Sequence, residues 1–148
     1  MKKILLITLV FILAACSAGG SEFSRNEQKW TDANIQHYRF GLTISCFCAF
    51  RDQMPLKVEV QNGEVVSITA QDGSLIEATN PNYEYFAPYA TIDKLFGELQ
   101  ADLNGKAEAV TVKYDPTYGF PTEITIDYQL QAADDELYLY ASALEKLP

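Results

Sequence analysis

The chain has 148 residues, 48% of them hydrophobic and 12% aromatic, with 20 acidic against 11 basic side chains and a formal charge of −9. Acidity on this scale sets it against nucleic acid and anionic lipid surfaces, which would repel it. The aromatic content excludes a disordered polymer, and the length suits one domain with its own core.

The first fifteen residues read as an export signal. Lys2 and Lys3 precede an apolar run, Ile4 to Ile12, broken only by Thr8. The run is too short to cross a ~30 Å hydrocarbon layer, which takes about 20 residues. Leu13-Ala14-Ala15-Cys16 follows at once and resembles the bacterial lipobox. That resemblance implies cleavage between Ala15 and Cys16 and a diacylglycerol on the Cys16 sulfur. A single acyl chain holds a protein only marginally, whereas two or three anchor it. The competing reading is an ordinary secretory signal in which Cys16 is incidental. Residue Ser17 is not aspartate, so by the lipoprotein sorting rule a Gram-negative host places the protein in the outer membrane, facing the periplasm. A Gram-positive host places it on the outer face of the plasma membrane. Cleavage removes two lysines and no acid, leaving 9 basic against 20 acidic residues and a charge of about −11. The expected organisation is a signal peptide over 1–15, a lipidated cysteine and Gly/Ser-rich tether over 16–25, and a single domain over 26–148.

Within that domain, Asn26 to Gln36 suits a short helix with Trp30 and Ala33 on one side. Tyr38, Phe40, Leu42, Ile44, Cys46 and Cys48 then alternate with Arg39, Gly41, Thr43 and Ser45, the period of a half-buried strand. Leu56, Val58 and Val60 alternate again before Asn62-Gly63, a hairpin signal. A two-residue loop would turn Val66 and Ile68 to the wrong face. Parity therefore favours a three-residue loop, Gln61-Asn62-Gly63, pairing Val58 with Val66 and Leu56 with Ile68. Residues 71–90 read as loop. Thr91 caps a helix whose stripe is Ile92, Leu95, Phe96, Leu99 and Leu103, ended by Asn104-Gly105. Val110 to Tyr114, Ile124 to Tyr128 and Leu137 to Leu144 complete the pattern as strands. The predicted fold is α+β: an antiparallel sheet in the order α-βββ-α-βββ, with helices packed on one face.

Trp30, Tyr38, Phe40, the Cys46-Phe47-Cys48 triplet, the Asn62-Gly63 hairpin, the run Tyr114-Asp115-Pro116-Thr117-Tyr118-Gly119-Phe120-Pro121 and Asp134-Asp135-Glu136 together resemble a bacterial domain-of-unknown-function family, number 6174. The resemblance spans about residues 28–144 and implies a lipoprotein or secreted protein, with no activity attached.

Candidate chemistry is sparse. Cys46 and Cys48 sit in a compartment that permits disulfides. In a regular strand, however, Cα atoms two residues apart lie about 6.6–6.8 Å apart, the limit for a bridge. Three readings stand: a structural disulfide made possible by the strand ending there, two buried thiols, and a redox-active pair or half of a metal site. His37 is the only histidine and falls between helix and strand, a poor place for a ligand. Tyr83, Tyr85, Phe86 and Tyr89 form either a binding surface or a loop packed on the sheet. Asp134-Asp135-Glu136 with Asp115 or Asp127 has the carboxylates calcium needs but no EF-hand spacing, and reads as a solvated turn. No catalytic constellation, cofactor motif or metal set emerges. The expectation is a non-catalytic envelope lipoprotein that meets a protein partner. The alternative is a periplasmic thiol–disulfide protein using Cys46 and Cys48.

Overall fold

In the computed structural model, which describes residues 21–148, the alternation after His37 becomes strand β1 (His37–Ser45), with Tyr38, Phe40, Leu42 and Ile44 buried. Five further strands join it: β2 (Leu56–Gln61), β3 (Glu64–Thr69), β4 (Ala109–Tyr114), β5 (Pro121–Asp127) and β6 (Leu137–Lys146). They form one antiparallel sheet in the order β3-β2-β1-β6-β5-β4. The last strand thus lies beside the first at the centre of the sheet. Leu139 and Ala141 of β6 face the core, while Tyr138 and Tyr140 point to the open face. The α+β order agrees with the sequence pattern. Ala15, Cys16 and the start of the tether lie outside the described residues, among which no helix is long and apolar enough to cross a membrane.

Three departures from the sequence reading have local causes. Helix α1 spans Glu22–Ala33, so residues 22–25 are helix and not tether. Ser21 caps it by accepting the Ser24 N–H, Glu22 favours its first turn, and Phe23 adds an apolar position seven residues before Trp30. Residues 71–90 are also more ordered than a loop. Asn80 accepts the Asn82 N–H, a one-turn helix α2 (Tyr83–Phe86) follows, and a 3₁₀ turn covers Ala87–Tyr89. Burial of Phe86 in the core holds this segment down. Helix α3 (Ile92–Ala101) is capped by Thr91 as expected. It then runs into one wide turn, Asp102–Lys106, closed by Gly105 at φ +104°. The extra residue in that turn shifts the phase of the stripe, so Leu103 is exposed and Asp102 faces inward.

The hairpin corrects the predicted loop. Val60 pairs with Val65 and Gln61 with Glu64, which leaves a two-residue turn of Asn62 (φ +53°) and Gly63 (φ +80°). The parity problem is solved further along. The register shifts after Glu59–Ser67, so Val66 is the extra residue of a bulge and is exposed. Ile68 thereby returns to the core face opposite Val58. One residue had to be added; the strand absorbs it, and the turn keeps the geometry Asn-Gly favours.

The helices cover the other face of the sheet through a joint at Trp30. Its ring lies edge-on to Tyr38 (5.3 Å) and Phe120 (6.2 Å), pairs worth about 0.5–1.5 kcal/mol each beyond burial. Its Nε1–H donates to Asp93 in the first turn of α3 (3.1 Å), and the Ile92 N–H donates to the Tyr38 hydroxyl (3.0 Å). The β4–β5 loop closes the joint. Asp115 Oδ1 accepts the N–H groups of Thr117 and Tyr118, turning the chain so that Gly119 (φ +79°) lies flat on α1. A Cβ at Gly119 would overlap the Asn26 main-chain oxygen and stand 2.8 Å from Lys29 Cβ. Gly119→Ala should therefore lower Tm by at least about 4 °C, from ~1–2 kcal/mol of left-handed strain plus the overlap. A shift of under about one degree in a thermal melt would show that the loop leaves α1 freely.

Candidate functional site

At the far end of β1 from Trp30, the strand stops at Ser45 and the chain makes a tight turn. The Cys48 N–H donates to the Cys46 carbonyl (2.8 Å), an i to i+2 closure. It draws the two Cα atoms to 5.2 Å, inside the disulfide range, and Cys46 and Cys48 are bonded. Continued strand parity would bury both sulfurs. Because the strand ends first, both residues are only half-buried and Phe47, at the tip, is 84% exposed. Phe50 then returns to the core, edge-on to Phe86 (4.9 Å) and 5.6 Å from Tyr85.

Between this turn, the 83–89 segment and the start of β6 lies a cleft of about 340 Å³. The disulfide forms part of its wall. Phe47, Tyr85, Pro88, Tyr89, Tyr128 and Leu137 supply apolar surface. Glu84, Asp134, Asp135 and Glu136 supply four carboxylates, and no lysine, arginine or histidine lines it. Asp134 takes a left-handed conformation (φ +69°), tolerable for aspartate, at the approach to β6. Both carboxylate oxygens of Asp135 are closed off from solvent without a hydrogen-bond donor. An unmade hydrogen bond at such a group costs about 1–3 kcal/mol, more when charged. Burial, and then the neighbouring Tyr128, pushes the Tyr89 phenol up to about 12, so its hydroxyl stays a neutral donor. Burial followed by Asp102 raises Tyr128 as well. Asp102, 2% exposed in the wide turn after α3, is itself raised by burial, against the pull of Lys106 at 3.8 Å.

The aromatic cluster predicted over 83–89 divides. Tyr85, 60% exposed, and Tyr89 line the cleft. Phe86 is wholly buried and Tyr83 packs against the core, so these two build the fold and not a surface. Asp134, Asp135 and Glu136 do meet at the cleft, whereas Asp115 is committed to its turn in the β4–β5 loop. Among the described residues no group of three His, Cys, Asp or Glu is placed to hold a metal ion. Phe47, Glu84, Pro88, Tyr128 and Leu137 also line the cleft, where the sequence pattern does not mark them as site residues. Phe47 carried a signal: it falls on the odd, outward parity of the β1 run, where an apolar residue has no core to enter.

His37 stands at the other end of β1. Its Nδ1 meets the Pro148 main-chain oxygen (2.9 Å) and its Nε2 meets Glu59 (3.1 Å), which also pairs with Arg39 (2.9 Å). The Pro148 contact first, and Glu59 second, raise its pKa above 6.5. Stability from this raised group is complete below 6.5 and is lost as pH rises through the folded value. The imidazole NMR titration should show a midpoint above 6.5, and His37→Gln should flatten the fall of Tm over that window. A midpoint at or below 6.5 would contradict the geometry.

The model of a family of unknown function (DUF6174) matches residues 22–146. No curated protein matches the chain.

Proposed function

The chain belongs to that family of unknown function, DUF6174, and from this membership, which brings no activity with it, we propose that the protein is an envelope-tethered, non-catalytic binding module. The lipobox-like segment and Cys16 carry the address. The 46–50 turn and the 83–89 segment carry the partner. The observation that supports this most directly is that Phe47 and Tyr85, both strongly exposed aromatics, flank one cleft. Exposed aromatics grouped on one surface are the residues that anchor protein contacts. Tyr89 and the carboxylates add polar groups that would set orientation.

The alternative, a thiol–disulfide protein using Cys46 and Cys48, rests on the bond lining an open cleft. The charge of that cleft counts against it. Reactive thiolates sit near cations, and four neighbouring carboxylates would raise a thiol pKa and slow exchange. A thiol titration of the reduced protein with its midpoint below 7 would reverse this order.

Two measurements test the proposal. Labelled palmitate should enter the wild-type protein and not Cys16→Ala, which should leave the membrane fraction; equal labelling would remove the anchor. A photo-crosslinking phenylalanine analogue at position 47 should give a discrete adduct in intact envelopes that Tyr85→Ser abolishes. No adduct, or the same adduct from position 111 on β4, would rule out the cleft as the contact.

A further inference from the structure

We infer that the free edge of β4 pairs with the same edge of a second copy of this chain, antiparallel and centred on Thr111. This goes beyond the cleft, since none of the residues lining it belongs to β4. It borrows from the proposed function only the tether that brings copies together.

The two edges of the sheet are built differently. At β3 the bulge at Val66 interrupts the ladder, and the chain folds back over the strand's end. Thr69 bridges Leu75, and the Ile76 N–H donates to the Ile68 carbonyl (2.8 Å). Bulges and covering chain are the devices that keep an edge from pairing. β4 has neither over Ala109–Lys113, where its register with β5 is unbroken. Among the described residues nothing hydrogen-bonds to its outer side. Its sequence, AVTVKY, holds no glycine or proline and a single charge. That charge, Lys113, is drawn back onto Glu123 of β5 (2.8 Å). Val110 and Val112 pack against the core yet stay half-buried, and a further strand would finish covering them.

The strand also matches itself. A pairing centred on Thr111 sets Val110 against Val112 of the second copy, twice over by symmetry, and Thr111 against Thr111 on the open face. Lys113 then meets Ala109 and Glu108 meets Tyr114, so no like charges oppose. Centring on Val110 would set Glu108 against Val112, and centring on Val112 would carry Ala109 onto Asp115. The axis stands normal to the sheet, so both copies hold their helices on one side. α1 begins near the end of β4, since Phe23 lies edge-on to Phe96 (5.7 Å), which stacks with Tyr114 (6.4 Å). Both helix starts therefore face one surface, as two tethers in one membrane require. Each copy carries a formal −9, but salt screens that repulsion beyond about 8–10 Å.

Six residues a side bury less than the ~1,600 Å² of a standard interface, so the pairing is weak in dilute solution and is tested in intact envelopes, where the tether crowds the copies. The full chain carrying Thr111→Cys is treated with a short bismaleimide. Facing strands bring the two sulfurs within its reach, their Cα atoms about 4.5–5.5 Å apart. The Cys46–Cys48 bond withholds those two cysteines. A dimer band that the wild-type chain does not give is expected, distinct from the partner adduct of position 47. Thr125→Cys, beside Thr111 on β5 and so one strand (about 4.8 Å) further from the axis in each copy, should give none. Ser67→Cys on β3 should give none either. Adding Val110→Glu or Val112→Lys to Thr111→Cys should cut the band at least about tenfold. Coexpressing those two chains should restore it, because the new charges then face each other. Thr111→Cys alone, on the exposed face, should leave Tm in place. No band from Thr111→Cys, or an equal one from Thr125→Cys, overturns the pairing. A band carrying a foreign mass overturns the second copy as occupant, and a mixed pair that restores nothing overturns the register. Failure of the tether shows separately, in the fractionation of Cys16→Ala. The band is then sought from the purified chain at high concentration, and its absence there ends the inference.

Discussion

The indole of Trp30 must satisfy two demands at once: its rings have to leave water and its N–H has to keep a partner. Both are met only where α1, β1, α3 and the β4–β5 loop come together. Tyr38 and Phe120 pack edge-on against the indole, and Asp93 takes the N–H. Tyr38 has the same divided character and resolves it in the same place, burying its ring while its hydroxyl accepts the first N–H of α3. That hydroxyl is held neutral, since burial pushes its pKa well above the usual phenol range. A helix N-terminus with orphan donors is thus docked on the sheet by side chains that needed acceptors and donors of their own.

This joint fixes one end of the sheet and leaves the other free for loops. β1 runs from His37, beside the joint, to Ser45, where the Cys46–Cys48 turn begins. In the segment from Tyr83 to Thr91, Phe86 is pinned in the core between exposed Tyr85 and half-buried Tyr89. Cleft residues of the 46–48 turn and the 83–89 segment therefore sit beside side chains sealed in the core, Ile44 and Phe50 for the first and Phe86 for the second. Such an arrangement suits recognition, because the contact residues stay exposed while their backbone is held. The residues that carry the family resemblance divide along this line. Trp30, Tyr38, Gly119 and Phe120 build the joint; Cys46, Cys48 and Asp134-Asp135-Glu136 build the cleft.

Much of the fold was legible because its rules are local. Period-2 burial marked β1, β2 and β5, and a Thr cap with an apolar stripe marked α3. The errors came where two local rules competed. In the hairpin, face parity and Asn-Gly geometry made different demands, and the sheet met both by placing a bulge at Val66. At the end of α3, the stripe predicted Leu103 inside, but a wide turn closed by Gly105 brought Asp102 in instead. At residues 46–48, parity pointed the cysteines inward until the strand ended one residue too soon.

The sequence by itself determined the strand pattern, the α+β order, the Thr91 cap and the lipobox-like segment at Cys16, since each is written in neighbouring residues whose spacing carries the physics. Only the tertiary structure decided which aromatics are core and which are surface: Phe86 and Tyr85 are adjacent and equally apolar in pattern, yet one is sealed and the other faces the cleft. It also decided that residues 46–48, 84–85, 88–89, 128 and 134–137 share one cavity. No local rule could place them together, because what joins them is the return of the last strand to the side of the first, a pairing set by burial across the entire chain.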